Sequence, residues 1–404
     1  MRVLQLNLRL NEGGAAKMAL DLHRRLLRSG VNSRLYYGYG RKAGKNPDES
    51  NIPNVFQTAN RLSILTNFLI HKVIGIDLIP PFGMRKQRLI AELKASDIIH
   101  IHVLHSYYMP LAWLISLLLQ MDKKVIWTAH DYWLLTGRCA FTDECENWRS
   151  GCGTCLTRRN YPPSLFDLSR SEFTRKRKWI NKLGKNLKIV APTEHITTEL
   201  RSVYSRSEVI TIANGIDSDM EAAIRNVKTF THDEEPLNRP VRVLVIANDL
   251  SYTAKTNRNI VRLISKKSKC EIHTVGKKSP FNMSNVINHG EILSREELVR
   301  LYSLVDLMLF TSTVDSFGLV IAESLACGTP VIAVDTPVSR EVLARVGAYP
   351  VGSTEEIINY IVKKTYFKIY PQIDRKTLQK AALSVFSGES MHSNYVNAYQ
   401  LSLV

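Results

Sequence analysis

A chain of 404 residues is long enough for two domains, each burying its own core. Hydrophobic residues make up 45% and charged residues 23%, which excludes a disordered chain. The longest apolar run, residues 111–121, falls far short of the roughly 20 residues that a membrane span needs. The formal charge of +17 points to anionic partners, whether nucleic acid, acidic lipid or a phosphorylated substrate.

The elements repeat as strand, glycine-containing turn and helix. Residues 3–10 read as the first strand, Gly13 and Gly14 as the turn, and residues 17–29 as a helix spaced on Met18, Leu22 and Leu26 and stopped by Gly30. The opening residues alternate like a half-buried strand and lack the apolar centre of a secretory signal, which predicts a cytoplasmic protein. Residues 62–82 are apolar and read as a core helix, with a membrane-facing element as the alternative. Residues 98–103 and 124–128 are short buried runs suited to parallel strands, and 189–191 and 209–213 close the first half.

From Asn214-Gly215-Ile216-Asp217 to Pro240 the polar composition, Thr231 to Glu235 above all, reads as a linker. A second alternating half follows, with strands at 241–247, 271–275, 306–310 and 330–334. The sum is an α/β chain of two doubly wound, Rossmann-like domains.

Four features carry chemistry. The string from Asp315 through Phe317, Gly318 and Leu319 to Glu323 reads as a loop entering a helix near Leu319. The free N–H groups of that helix start suit an anion, and Glu323, one turn on, suits ribose hydroxyls. A plain acidic helix start is the bland alternative. His100, His102 and His105 lie at one strand end and His130-Asp131 at the next, on the carboxyl edge where open α/β sheets place ligands. Gly13 and Gly14 permit close backbone approach to a ligand. Cys139, Cys145, Cys152 and Cys155 fall within 17 residues, a cluster that in a reducing compartment reads as structural zinc or as free thiols.

Taken in order, Gly13-Gly14, the histidine-rich strand end, Asn-Gly-Ile-Asp and the Asp315–Glu323 string followed by Gly-Thr-Pro-Val-Ile-Ala resemble the family-four retaining glycosyltransferases of the GT-B fold. Within that family the likeness is strongest to those of colanic acid biosynthesis. The resemblance implies an active site in a cleft between the domains, with residues 1–215 and a returning helix at 389–404 for the acceptor, and 236–388 for the nucleotide sugar. It places Glu323 on the ribose and Asp315 near the donor sugar. It sets the backbone of Phe317, Gly318 and Leu319 around sugar and phosphate, and Lys255 on the diphosphate. Gly276, Lys277 and Ile292 fall beside the base, and His102 beside the donor sugar; His130 joins His102 in positioning and proton handling.

Two departures stand out: the family's arginine before Lys255 is absent, with Asp249 near its place, and Asp315 replaces a longer glutamate. The implied reaction moves a hexose, galactose favoured, from a nucleotide sugar (UDP favoured) to a lipid-diphosphate-linked oligosaccharide. No cofactor is required for catalysis. A nucleotide-sugar epimerase and a non-catalytic assembly scaffold are the rivals. Residues 170–188 hold eight Lys or Arg against one Glu, with Phe173, Trp179, Ile180 and Leu183 interleaved. That pattern fits an anionic membrane surface at the inner face of the cytoplasmic membrane, whereas no nucleic-acid motif accompanies the charge.

Overall fold

The computed structural model describes residues 1–143, 145–156, 158, 161–227, 239–267, 270–365, 369–370 and 374–403. The chain divides into two compact units, Met1–Ala213 with His392–Val404, and Asn214–Met391. Residues 231–235 of the expected linker lie outside the described residues.

The first unit is a seven-stranded parallel sheet. Its strands are β1 (Arg2–Asn7), β2 (Asn32–Tyr37), β3 (Val55–Gln57), β4 (Ile98–Ile101), β5 (Lys124–Thr128), β6 (Leu187–Ala191) and β7 (Glu208–Thr211), in the order β3-β2-β1-β4-β5-β6-β7. Every residue of β4 and β6 is buried, as strands covered on both faces require. β2 escapes sequence reading because it opens on Asn32, Ser33 and Arg34, and β3 because three residues carry no period. The helix Gly14–Arg28 starts three residues earlier than its spacing suggests, with Gly13 at φ 92, a left-handed value that favours glycine. The final helix, Gly388–Leu403, lays its buried Tyr395 and Tyr399 on this sheet, where their hydroxyls meet Thr128 Oγ1 at 2.9 Å and His100 Nδ1 at 2.8 Å.

The second unit is a five-stranded parallel sheet of β8 (Val241–Asp249), β9 (Cys270–Lys277), β10 (Val286–Asn288), β11 (Leu307–Phe310) and β12 (Val331–Ala333), ordered β10-β9-β8-β11-β12. Part of the expected linker is a helix, Ser218–Asn226. Asp217 caps it by accepting from the Met220 N–H at 2.8 Å, and Met220, Ala223 and Ile224 form its buried face. The Asn-Gly turn ahead of it masked this spacing.

The basic segment also differs from expectation. Helix Ser169–Asn181 buries Phe173 and Ile180, Leu183 just beyond is buried too, and Trp179 packs on the core, so the interleaved apolar residues face inward. Even Lys176 is buried, its ammonium 3.9 Å above the Trp133 ring and donating to the carbonyls of Trp133 and Gly137. No helix among the described residues is long and apolar enough to cross a membrane.

Candidate active site

In the first unit the sheet order reverses between β1 and β4, the point at which open α/β sheets hold ligands beyond their carboxyl ends. Gln5, His102 and His130 meet there. His102 Nε2 lies 2.9 Å from Gln5 Oε1, and His102 Nδ1 lies 2.9 Å from His130 Nε2. The chain continues away from the edge: Gln5 Nε2 donates to Ser33 Oγ at 3.0 Å, Ser33 Oγ lies 2.8 Å from His23 Nδ1, and His23 Nε2 lies 2.9 Å from the Pro53 carbonyl.

One anchor fixes the direction of every proton. A carbonyl only accepts, so His23 carries its proton on Nε2, its Nδ1 accepts from the Ser33 hydroxyl, and Ser33 accepts from the Gln5 amide. The Gln5 oxygen then takes the His102 Nε2 proton, leaving His102 Nδ1 to accept from His130 Nε2. His130 is thereby set as the tautomer whose Nδ1 is a proton acceptor. Burial drives all three imidazoles toward neutrality. His23 and His130 fall to about 4, and His102 falls well below its usual range through burial and then the neighbouring His100 and His130.

Asp131, after His130, is pushed up by burial but held net below the ordinary carboxylate value by His105 and the Trp133 N–H. Its Oδ2 lies 2.9 Å from His105 Nε2, and its Oδ1 accepts from Trp133 at 2.9 Å. His100, its ring tilted 37° to that of His102 with centroids 3.9 Å apart, is tied to Tyr399 and to Thr128 Oγ1, and serves the sheet rather than its edge.

In the second unit the order reverses between β8 and β11. Lys255, in the loop after β8, donates from Nζ to Asp315 Oδ1 at 2.5 Å and to the Val314 carbonyl at 3.4 Å, so the two expected donor residues meet. Gly318 follows at φ 75 as the N-cap of helix Leu319–Ala326, with no side chain capping that helix start, and Phe317 is buried against Phe386. Glu323 is largely buried, its Oε1 3.3 Å from Arg295 and its Oε2 accepting from the Tyr302 hydroxyl at 3.4 Å. Arg295 also pairs with Asp217.

Asp249 is held at about 2, chiefly by a 2.7 Å hydrogen bond from Lys278 and then by Ser251. Asp249, near the place of the family's missing arginine, is thus paired with an exposed lysine that directly follows β9. Gly276, at φ 142, has a backbone reason of its own: a Cβ there would sit 1.9 Å from the Ala247 carbonyl oxygen. Lys277 pairs with Glu291 at 3.0 Å, next to half-buried Ile292. Gly13 and Gly14 open the helix after β1, and a Cβ at Gly13 meets nothing within 4 Å, so conformation rather than crowding selects that glycine.

Cys139, Cys145, Cys152 and Cys155 border one small cavity with Trp148 and Arg138. Burial raises Cys152, while the Gly137 N–H donates to its Sγ at 3.1 Å. Among the described residues, no group of three or more His, Cys, Asp or Glu is arranged to hold a metal ion.

Comparison with known proteins decides the family. The model of Glycosyltransferase Family 4 matches residues 12–220, and that of Glycosyl transferases group 1 matches residues 280–361. A chain described as the colanic acid biosynthesis glycosyl transferase WcaC of Escherichia coli (strain K12) is 35% identical over 410 residues, covering 99% of this chain and 100% of its own. The protein belongs to the family 4 glycosyltransferases.

Two solved structures show the GT-B fold of two Rossmann-like domains. Anabaena HepE in complex with UDP aligns at a TM-score of 0.63 and 14% identity, over 99% of this chain and 100% of its own. Sucrose-phosphate synthase from Thermosynechococcus elongatus aligns at 0.62 and 12%, over 99% of each chain. Sequence reading of this glycosyltransferase missed Gln5, Ser33, His23, Arg295 and Lys278. Each reaches its partner across many residues, and no local motif links them.

Proposed function

We propose that this glycosyltransferase moves a hexose, galactose favoured, from a UDP-sugar to a lipid-diphosphate-linked oligosaccharide, with retention at the anomeric carbon, in assembly of a colanic-acid-like exopolysaccharide. The observation that carries the reading is Glu323, fixed by Arg295 and Tyr302 in the helix whose uncapped start lies beside Lys255. In this reading the ribose hydroxyls donate to Glu323 and the diphosphate lies at the amino end of that helix. Lys255 releases Asp315 to meet the charge that builds on the leaving diphosphate as its bond to the sugar breaks. Asp315 is then available to a sugar hydroxyl. His130, neutral and tautomer-fixed, orients the reacting hydroxyl and handles its proton, and His102 holds His130 in place through their shared hydrogen bond. The first unit binds the acceptor and the second the nucleotide.

The test is to incubate the purified protein with a panel of nucleotide sugars, with and without a membrane lipid extract. Extract-dependent UDP release, with a product whose anomeric configuration by NMR matches the donor's, is expected. Release that ignores the extract, or a free epimerised sugar, would contradict the transferase reading.

A further inference from the structure

The helix Arg61–Ile74 is inside out by the rule for a water-facing helix. Its buried positions are Ser63, Asn67 and His71 with Ile64, and its exposed positions, besides Arg61 and Lys72, are apolar: Leu62, Leu65, Leu69 and Val73, each between 40% and 65% exposed. At 3.6 residues per turn these four fall within about 80° of arc, a stripe along about 17 Å of helix. The inward face is bolted down by hydrogen bonds. Asn67 donates to the carbonyls of Ile79 and Tyr107 and accepts from the N–H groups of Leu78 and Ile79, while His71 pairs with Asp77 at 2.9 Å. The orientation is therefore fixed, and the leucines cannot turn inward.

Neighbouring segments extend the stripe at both ends. The Phe82 N–H donates to Asn60 at the helix start, beside exposed Phe82 and Met84. At the other end the N–H groups of Leu165 and Phe166 donate to the carbonyls of Lys72 and Val73, which sets two side chains more than 60% exposed next to Val73. The charge around this surface has one sign. Between residues 52 and 91 the sequence carries Arg61, Lys72, Arg85, Lys86 and Arg88 and a single carboxylate, Asp77, which is buried on His71 and the Tyr107 N–H. Asp167, beside Phe166, is turned to the N–H groups of Cys155 and Ser169.

We propose that this face, Leu62, Leu65, Leu69 and Val73 with Phe82 and Phe166 beside it, is a docking surface for an anionic lipid bilayer. The leucines enter the acyl boundary and Arg61 and Lys72 meet the phosphates. The inference deepens the transferase reading, because an acceptor tethered to lipid has to be met at the bilayer. It also moves the membrane contact from the basic helix Ser169–Asn181, whose apolar residues are spent in the core.

The experiment is co-sedimentation of the full chain with vesicles of phosphatidylethanolamine and phosphatidylglycerol, against phosphatidylcholine vesicles, at low and high salt. UDP binding is measured in parallel. The wild type is expected to partition to the anionic vesicles at least tenfold more strongly than to phosphatidylcholine, and less at high salt. Leu65→Ser with Leu69→Ser, both already in water, should lower that partitioning at least tenfold with UDP affinity unchanged. Arg61→Gln with Lys72→Gln should remove most of the salt dependence. Undiminished partitioning of the leucine variant overturns the proposal. So does a wild type that ignores anionic vesicles, or a dimer in solution that the leucine changes dissolve, which would make a second copy the occupant. Vesicle binding without UDP binding would instead count against the transferase reading alone.

Discussion

The two strand-end sites are built on opposite electrical plans. In the first unit, His23, His102 and His130 are joined through Ser33 and Gln5 into one hydrogen-bonded chain, buried and neutral. In the second, Lys255 faces Asp315, Lys278 faces Asp249, and Arg295 lies between Asp217 and Glu323. A neutral chain anchored on a carbonyl sets where a proton sits without attracting ions. Paired charges can trade a carboxylate for a phosphate with little reorganisation. Under the proposed function, the neutral chain would serve the proton and the paired charges the diphosphate.

That division is open to attack residue by residue. The largest effect should follow His130→Ala, which removes the acceptor nitrogen at the end of the chain. A loss of about 10²–10⁴ in kcat is expected from steady-state UDP release, with UDP affinity kept; equal losses in both would erase the contrast between the units. Lys255→Met should lower kcat by about 10²–10³ by removing the cation from the leaving group, again read by UDP release.

The pH dependence of stability comes next. His23 and His130 titrate near 4 in the fold and near 6.5 when unfolded, so between those values the unfolded chain binds more protons and stability falls as the pH is lowered. Each contributes up to about 1.4 kcal/mol per pH unit in that window. Urea unfolding at pH 7, 6 and 5 should show the midpoint dropping with acid. A flat midpoint would mean that these imidazoles are charged. The smallest effect is that of Gln5→Leu, which breaks the chain in the middle. Loss of its two hydrogen bonds, of which the one to His102 bears on the site at about 1 kcal/mol, should reduce kcat some 3–10-fold and leave UDP binding alone.

What could be read from the residues was whatever the backbone places locally. His102 and His130 at neighbouring strand ends, and Gly318 before a helix carrying Glu323, follow from short periods and one turn. The groups that set their chemistry do not. Arg295 is 28 residues from Glu323 and 78 from Asp217, and His23 reaches His102 only through β1 and β2. The helix Arg61–Ile74 teaches a different lesson: spacing reports that a helix has two faces, but the hydrogen bonds of Asn67 and His71 decide which one meets water. The basic helix was misread for the same reason, since Phe173 and Ile180 have the same period whether they face lipid or core.

Titration calorimetry of UDP against the wild type and Glu323→Ala tests the central claim most directly. The ribose hydrogen bonds to a buried carboxylate are worth roughly 1.5–3 kcal/mol. The account therefore predicts measurable UDP binding to the wild type and about 10–100-fold weaker binding to the variant, with a retained cooperative unfolding transition showing that the fold is kept. Equal affinity in the two proteins would contradict it.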